Sequence, residues 1–155
     1  MALAVSCAKE KLNDVIEEGS YKLTAIVESV NGTKTSIFDN GDATFSHKWE
    51  VNDAISVFDG SENQKFTTSG SGSSVSFSGN PLSPAAPHYA VYPYSASNSI
   101  SGNVVTVTYP ATQILREGNY AAGSNIMVGL SDHTDIISFK NACAYIQLNF
   151  AQKAS

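Results

Sequence analysis

From Tyr21 onward, hydrophobic and polar positions alternate with a period of two. Tyr21, Leu23, Ala25 and Val27 fall on one side, and Lys22, Thr24, Ile26 and Glu28 on the other. This predicts a half-buried strand. Asn31–Gly32 predicts a hairpin turn, because both residues tolerate positive φ, and Thr35 to Phe38 is the return strand. Asp39–Asn40–Gly41–Asp42 is the next turn, after which Phe45, His47 and Trp49 share one strand face. Ala54 to Phe58 is a nearly continuous apolar run and reads as a central strand. Lys65 to Thr68 is a brief strand, and Ser69 to Ser73 a flexible Gly/Ser connector. Val75 and Phe77 then point opposite Ser74, Ser76 and Ser78.

Pro81, Pro84 and Pro87 keep the segment Asn80 to Pro87 out of any central strand, since proline cannot donate to a ladder. Tyr89 to Tyr92 is a buried strand ended by Pro93, and Ser95 to Gly102 a polar loop. Val105, Val107 and Tyr109 predict the buried face of a further strand, and residues 111–124 a longer loop. Ile126, Val128 and Leu130 predict another buried face. Ile136 to Phe139 is a short strand, and Ala144, Ile146, Leu148 and Phe150 define the last one. About ten short strands at a spacing of roughly 8–12 residues predict an all-β, antiparallel β-sandwich, a two-sheet fold of Ig-like or transthyretin-like kind. Residues 1–20 read as a leader remnant and tether, and residues 21–155 as one sandwich domain.

Composition changes this picture in one respect. Charged residues make up only 15% of the chain, against about 25% in an average soluble domain. Ser, Thr, Asn and Gly take their place, as on the outer faces of extracellular sheets. The net charge is −5, the eight lysines are scattered, and Arg116 is the only arginine. A nucleic-acid partner is therefore not expected.

The N-terminus resembles the tail end of an export signal. Met1 to Ser6 is small and apolar, Cys7 follows, and Lys9, Glu10 and Lys11 switch the chain to charge. Leu3–Ala4–Val5–Ser6 before Cys7 is similar to a bacterial lipobox, which makes Cys7 a candidate lipid-attachment site. The alternative is a disulfide from Cys7 to Cys143. If Cys7 is acylated, Cys143 is left as a packed, inert thiol.

Reactive chemistry is thin. His47, His88 and His133 share no ligand spacing, and Asp39–Asp42 and Asp132–Asp135 have turn composition without a calcium-loop ligand series. No serine sits in a nucleophile elbow, and Glu17–Glu18 lies in the polar tether. No enzymatic activity and no cofactor are expected. Tyr89, Tyr92, Tyr94 and Tyr109 read first as packing residues, with sugar stacking as the second reading.

An ordered set of segments carries a family resemblance. It comprises Trp49 with Asp53–Ala54–Ile55–Ser56–Val57–Phe58, then Phe77–Ser78–Gly79, then Tyr89–Ala90–Val91–Tyr92–Pro93–Tyr94. Pro110–Ala111–Thr112–Gln113 with Gly118–Asn119–Tyr120 follows, and Phe139–Lys140–Asn141–Ala142–Cys143 opens the last strand. In this order they resemble the fimbrillin-like family of the Bacteroides group, subunits of type V fimbriae and related lipoprotein adhesins. The resemblance implies a lipidated precursor at the outer membrane, a further C-terminal domain, and assembly with other fimbrial subunits by β-strand donation. In polymerising members a protease cuts after a basic residue, usually arginine, to free the acceptor groove. Here only Lys22 and Lys34 lie near the first strands. The expected groove residues are Ile26, Val128, Ile146 and Leu148. The competing expectation is a carbohydrate- or host-binding surface module that does not polymerise. It would use the loops 80–87, 95–102 and 111–124, with Tyr94 and Tyr120 as contact aromatics.

Overall fold

The structure is a computed structural model that describes residues 21–27, 36–39, 45–114, 116, 120–121 and 123–143, with 36–39 and 45–47 as strand backbone. The strands are β1 (Tyr21–Val27), β2 (Ser36–Asp39), β3 (Phe45–Lys48), β4 (Ala54–Asp59), β5 (Glu62–Thr68) and β6 (Ser74–Gly79). They continue as β7 (His88–Tyr92), β8 (Ser99–Ser101), β9 (Val104–Thr106), β10 (Met127–Ser131) and β11 (Ile136–Asn141). No helix occurs among the described residues.

The all-β class agrees with the alternation, but the two-sheet sandwich does not. Seven strands close into a barrel in the order β1-β11-β10-β7-β4-β5-β6 and back to β1, while β2-β3 and β8-β9 form separate ribbons. Two junctions close it. β1 pairs antiparallel with β6 on one side and parallel with β11 on the other. β5 and β6 join at Thr67↔Ser78 and Thr68↔Phe77. Alternation specifies one buried face per strand, and that face is the same in a sandwich and a barrel. What separates the two is edge pairing, which alternation does not encode. Near the β5–β6 junction, a Cβ on Gly79 would lie 2.6 Å from Cγ of Phe66. Glycine there lets the Phe66 ring fill the interior.

Two apolar clusters result among the described residues. The interior holds Leu23, Ala25 and Val27 of β1, Ile55 and Val57 of β4, Phe66, Phe77, Ile137 and Phe139, with Trp49 among them. The second lies on the outer face of β4 and β7. Phe58, Val91 and Ile126 are buried there beneath Ile100, Val105 and Val107 of the β8–β9 region. Covering on both faces explains why Ala54 to Phe58 reads as a nearly continuous apolar run, interrupted only by Ser56.

Several local expectations are corrected. The polar loop 95–102 contains β8, and β9 ends at Thr106, so Tyr109 is 44% exposed rather than buried. The connector 69–73 is tied down: the N–H of Trp49 donates to the Gly72 carbonyl at 2.7 Å, and Gly72 donates back at 3.1 Å. On β10 the inward residues are Met127 and Gly129, while Val128 and Leu130 face out, 40% and 57% exposed. A Cβ on Gly129 would lie 2.5 Å from Cγ2 of Ile137, so no larger residue fits that inward position. Ile126 is buried, but ahead of the strand and in the outer cluster. Cys143 is exposed rather than packed. Cys7, the Asn31–Gly32 turn and the predicted last strand 144–150 lie outside the described residues.

Candidate functional site

The most tightly specified constellation surrounds Trp49. Its ring meets Phe77, Tyr92 and Phe139 edge-on, at centroid distances of 5.0, 5.5 and 5.3 Å. Such edge-to-face contacts add to simple burial because the ring edges are positive and the faces negative. At the end of this knot, Tyr92 donates its hydroxyl to Oδ1 of Asp53 at 3.1 Å. Oδ2 of Asp53 accepts the Glu50 N–H at 2.7 Å, closing the turn from Glu50 to Asp53. That turn includes Asn52 at φ 72°, a left-handed position that asparagine tolerates. Burial, and then the Asp53 carboxylate, push the Tyr92 phenol far above its ordinary range, with Glu50 adding to the effect and Arg116 opposing it. The phenol therefore stays protonated and acts as a donor. A protonated tyrosine clasped to a turn carboxylate is a structural device, with no activated nucleophile in it.

The other candidates from the sequence are dispersed. His88 is buried, and neither ring nitrogen has a hydrogen-bond partner among the described residues. His133 is exposed in the β10–β11 turn, where its N–H donates to Oγ of Ser131. The Asp132–Asp135 segment is that turn and, as expected from its composition, links two paired strands. Among the described residues no group of three or more His, Cys, Asp or Glu is placed to hold a metal ion. Of the expected groove residues, Ile26 lies on the outward side of β1 and Val128 on the outward side of β10, with β11 between them. Ile146 and Leu148 lie outside the described residues.

The expected contact aromatics separate as well. Tyr120 is buried. Tyr94 is half-buried, and the Lys65 ammonium sits 5.2 Å from its ring centroid. Lys65 also borders an open, polar depression of about 410 Å³, with Asn52, Thr67, Ser69 and Ser78.

A second depression, of about 320 Å³, is lined by Gly60, Ser61, Pro87, Tyr89, Ile100, Gly102 and Asn103. It brings together the end of loop 80–87, the β4–β5 turn and the tip of the β8–β9 hairpin. Side-chain amides hold these parts in place. Asn98 donates to Oγ of Ser56 and to the Pro93 carbonyl, both at 3.0 Å. Asn63 donates to the carbonyls of Ser95 and Asn98 at 2.8 and 2.9 Å. Asp59 accepts the Ser83 N–H at 2.8 Å and ties the proline loop to the β4–β5 turn. Sequence reasoning missed Asn63, Asn98 and Asn103, because an asparagine in a polar segment carries no periodic signal that separates a buried fastener from a solvated turn residue.

Comparison with known proteins finds no matching family model, no matching curated protein and no matching solved structure. The family resemblance thus rests on the sequence pattern alone.

Proposed function

We propose that the chain is a non-enzymatic cell-surface subunit of a fimbria or adhesin, exported as a lipoprotein through Cys7 and assembled by β-strand donation. The observation that carries the reading is the Trp49 knot. Trp49, Phe77, Tyr92 and Phe139 come from four of the separate segments on which the family resemblance rests, and they meet around one ring. Asp53, from the first segment, takes the Tyr92 hydroxyl of the third. Segments that are separate along the chain thereby form one packing unit.

The barrel also suggests which strand is exchanged. β1 is the first strand among the described residues, and it lies between β6 and β11. Its withdrawal would strip two ladders of partners and uncover Val75, Phe77, Ile137 and Phe139. A donor strand with apolar residues at alternate positions restores both the hydrogen bonds and the burial. In this reading the groove is lined from inside the barrel, by those four residues.

A specific protease site placed within 28–35 tests the proposal. After cleavage, the protein should capture a labelled peptide of sequence Tyr21–Val27 and form ladders of its own copies on native gels. A cleaved protein that stays monomeric and binds no strand peptide overturns the assembly mechanism.

A further inference from the structure

We infer that the depression between the β4–β5 turn and the β8–β9 hairpin is a binding subsite for an uncharged saccharide. The inference rests on the adhesin half of the reading above and is independent of strand donation. None of the seven lining residues carries a charge at neutral pH. Anionic sugars, nucleotides and cationic peptides would therefore find no counter-charge in the lining. What the lining offers is apolar surface from Tyr89, Pro87 and Ile100, beside the amide of Asn103 and the hydroxyls of Ser61 and Tyr89. A pyranose ring presents the matching pair of surfaces, a C–H face that packs on an aromatic and a rim of hydroxyls that exchange hydrogen bonds with amides and hydroxyls.

Size and rigidity agree with this assignment. At about 320 Å³ the depression has the capacity of a small ligand site, near the lower end of the ~300–1,000 Å³ range. It suits a mono- or disaccharide better than a folded partner. Gly60 and Gly102, both at positive φ, form the turns at its rim, and a Cβ on either would meet no atom within 4 Å. The rim is thus bare backbone in open space, accessible to ligand hydroxyls. The Asn63, Asn98 and Asp59 fasteners order the surrounding segments in advance, so little loop entropy is lost on binding. Tyr89 packs against the outer cluster from below and lines the depression from the same position in β7.

The test is a titration of the full-length, isotope-labelled protein with lactose, maltose and cellobiose, followed by amide chemical shifts. At least one sugar should shift residues 60–61, 87–89 and 100–103 together, saturably, in the millimolar range. Asn103→Ala should weaken that binding by about fivefold or more, the loss of one hydrogen bond. Tyr89→Leu keeps an apolar side chain against the outer cluster and should weaken it by about tenfold. If Tyr89→Leu alters the fold, Asn103→Ala alone decides. Absence of shifts with all three sugars, shifts confined to other residues, or undiminished binding by Asn103→Ala each overturns the inference. Strand capture is measured separately, so neither failure can be mistaken for the other.

Discussion

The two apolar clusters are built on opposite principles. Inside the barrel, large rings pack edge-on around Trp49, and the buried faces of β1 and β6 can be traced to alternation. Outside, three fully buried residues are covered by half-buried ones from a hairpin of three-residue strands, and the cover is held by asparagine side chains. The interior is fixed by shape. The outer cluster depends on a few polar fasteners, and those fasteners also position the depression that we assign to a saccharide. One side of β4 therefore holds the fold together, and its other side carries a surface that can diversify without disturbing the barrel.

The sharpest way to break this contrast is to empty each cluster in turn. Trp49→Ala should destabilise the protein by about 3–5 kcal/mol, enough to unfold a marginal domain. Ile100→Ala, at a half-buried position on the hairpin, should cost only about 1 kcal/mol. Chemical denaturation followed by tryptophan-independent circular dichroism measures both. Equal effects would mean that the clusters form one core, and the division of labour would be lost.

Asn98→Ala comes next. The amide is buried and serves two acceptors, so its loss should cost about 1–3 kcal/mol. The loss should be local: amide exchange should accelerate in the β8–β9 hairpin and stay slow in β1 and β6. Uniform acceleration would instead make Asn98 part of the barrel's own stability.

Tyr92→Phe removes a hydroxyl from the interior clasp while keeping the ring against Trp49. At neutral pH the cost should be about 1 kcal/mol. Its pH dependence is more diagnostic. The folded phenol holds its proton more tightly than the unfolded one, first through burial and then through Asp53. The stability linked to it is fully present below the ordinary tyrosine value of about 10, and is lost as pH rises above that. The wild-type protein should thus weaken in strong alkali more steeply than Tyr92→Phe. Parallel curves would remove the clasp from the account.

Much of the interior was legible in the sequence. β1, β4, β6 and β7 alternate or run apolar as their burial requires, and Val75 and Phe77 point inward as their spacing predicts. Closure was not legible, because the pairing of β1 with both β6 and β11 joins residues at least 48 positions apart (Ile26↔Ser74) and leaves no local pattern. The depression was legible only in part. The loops 80–87 and 95–102 stood out by their prolines and polarity, whereas Ile100 and Asn103 became meaningful once the hairpin was folded over β7. Tyr94 and Tyr120 stood out for being aromatic in or beside loops, yet one lies beneath a lysine and the other is buried.

The smallest expected effect tests the reading that the sequence inverted. Ile126, Val128 and Leu130 alternate, so periodicity alone turns them inward. The inward positions of β10 are instead Met127 and Gly129, and the glycine contributes no side chain to the pattern. Leu130→Thr should therefore change stability by less than about 0.5 kcal/mol, since an outward β-branched residue suits a strand and little apolar surface is lost. Ile137→Thr, on the neighbouring strand beneath Gly129, should cost about 2–3 kcal/mol, because it buries a hydroxyl and opens space in the interior. A large loss from Leu130→Thr with a small one from Ile137→Thr would place β10 one residue out of register. Every side chain on that strand would then change faces, and the barrel wall would have to be drawn again from Met127 onward.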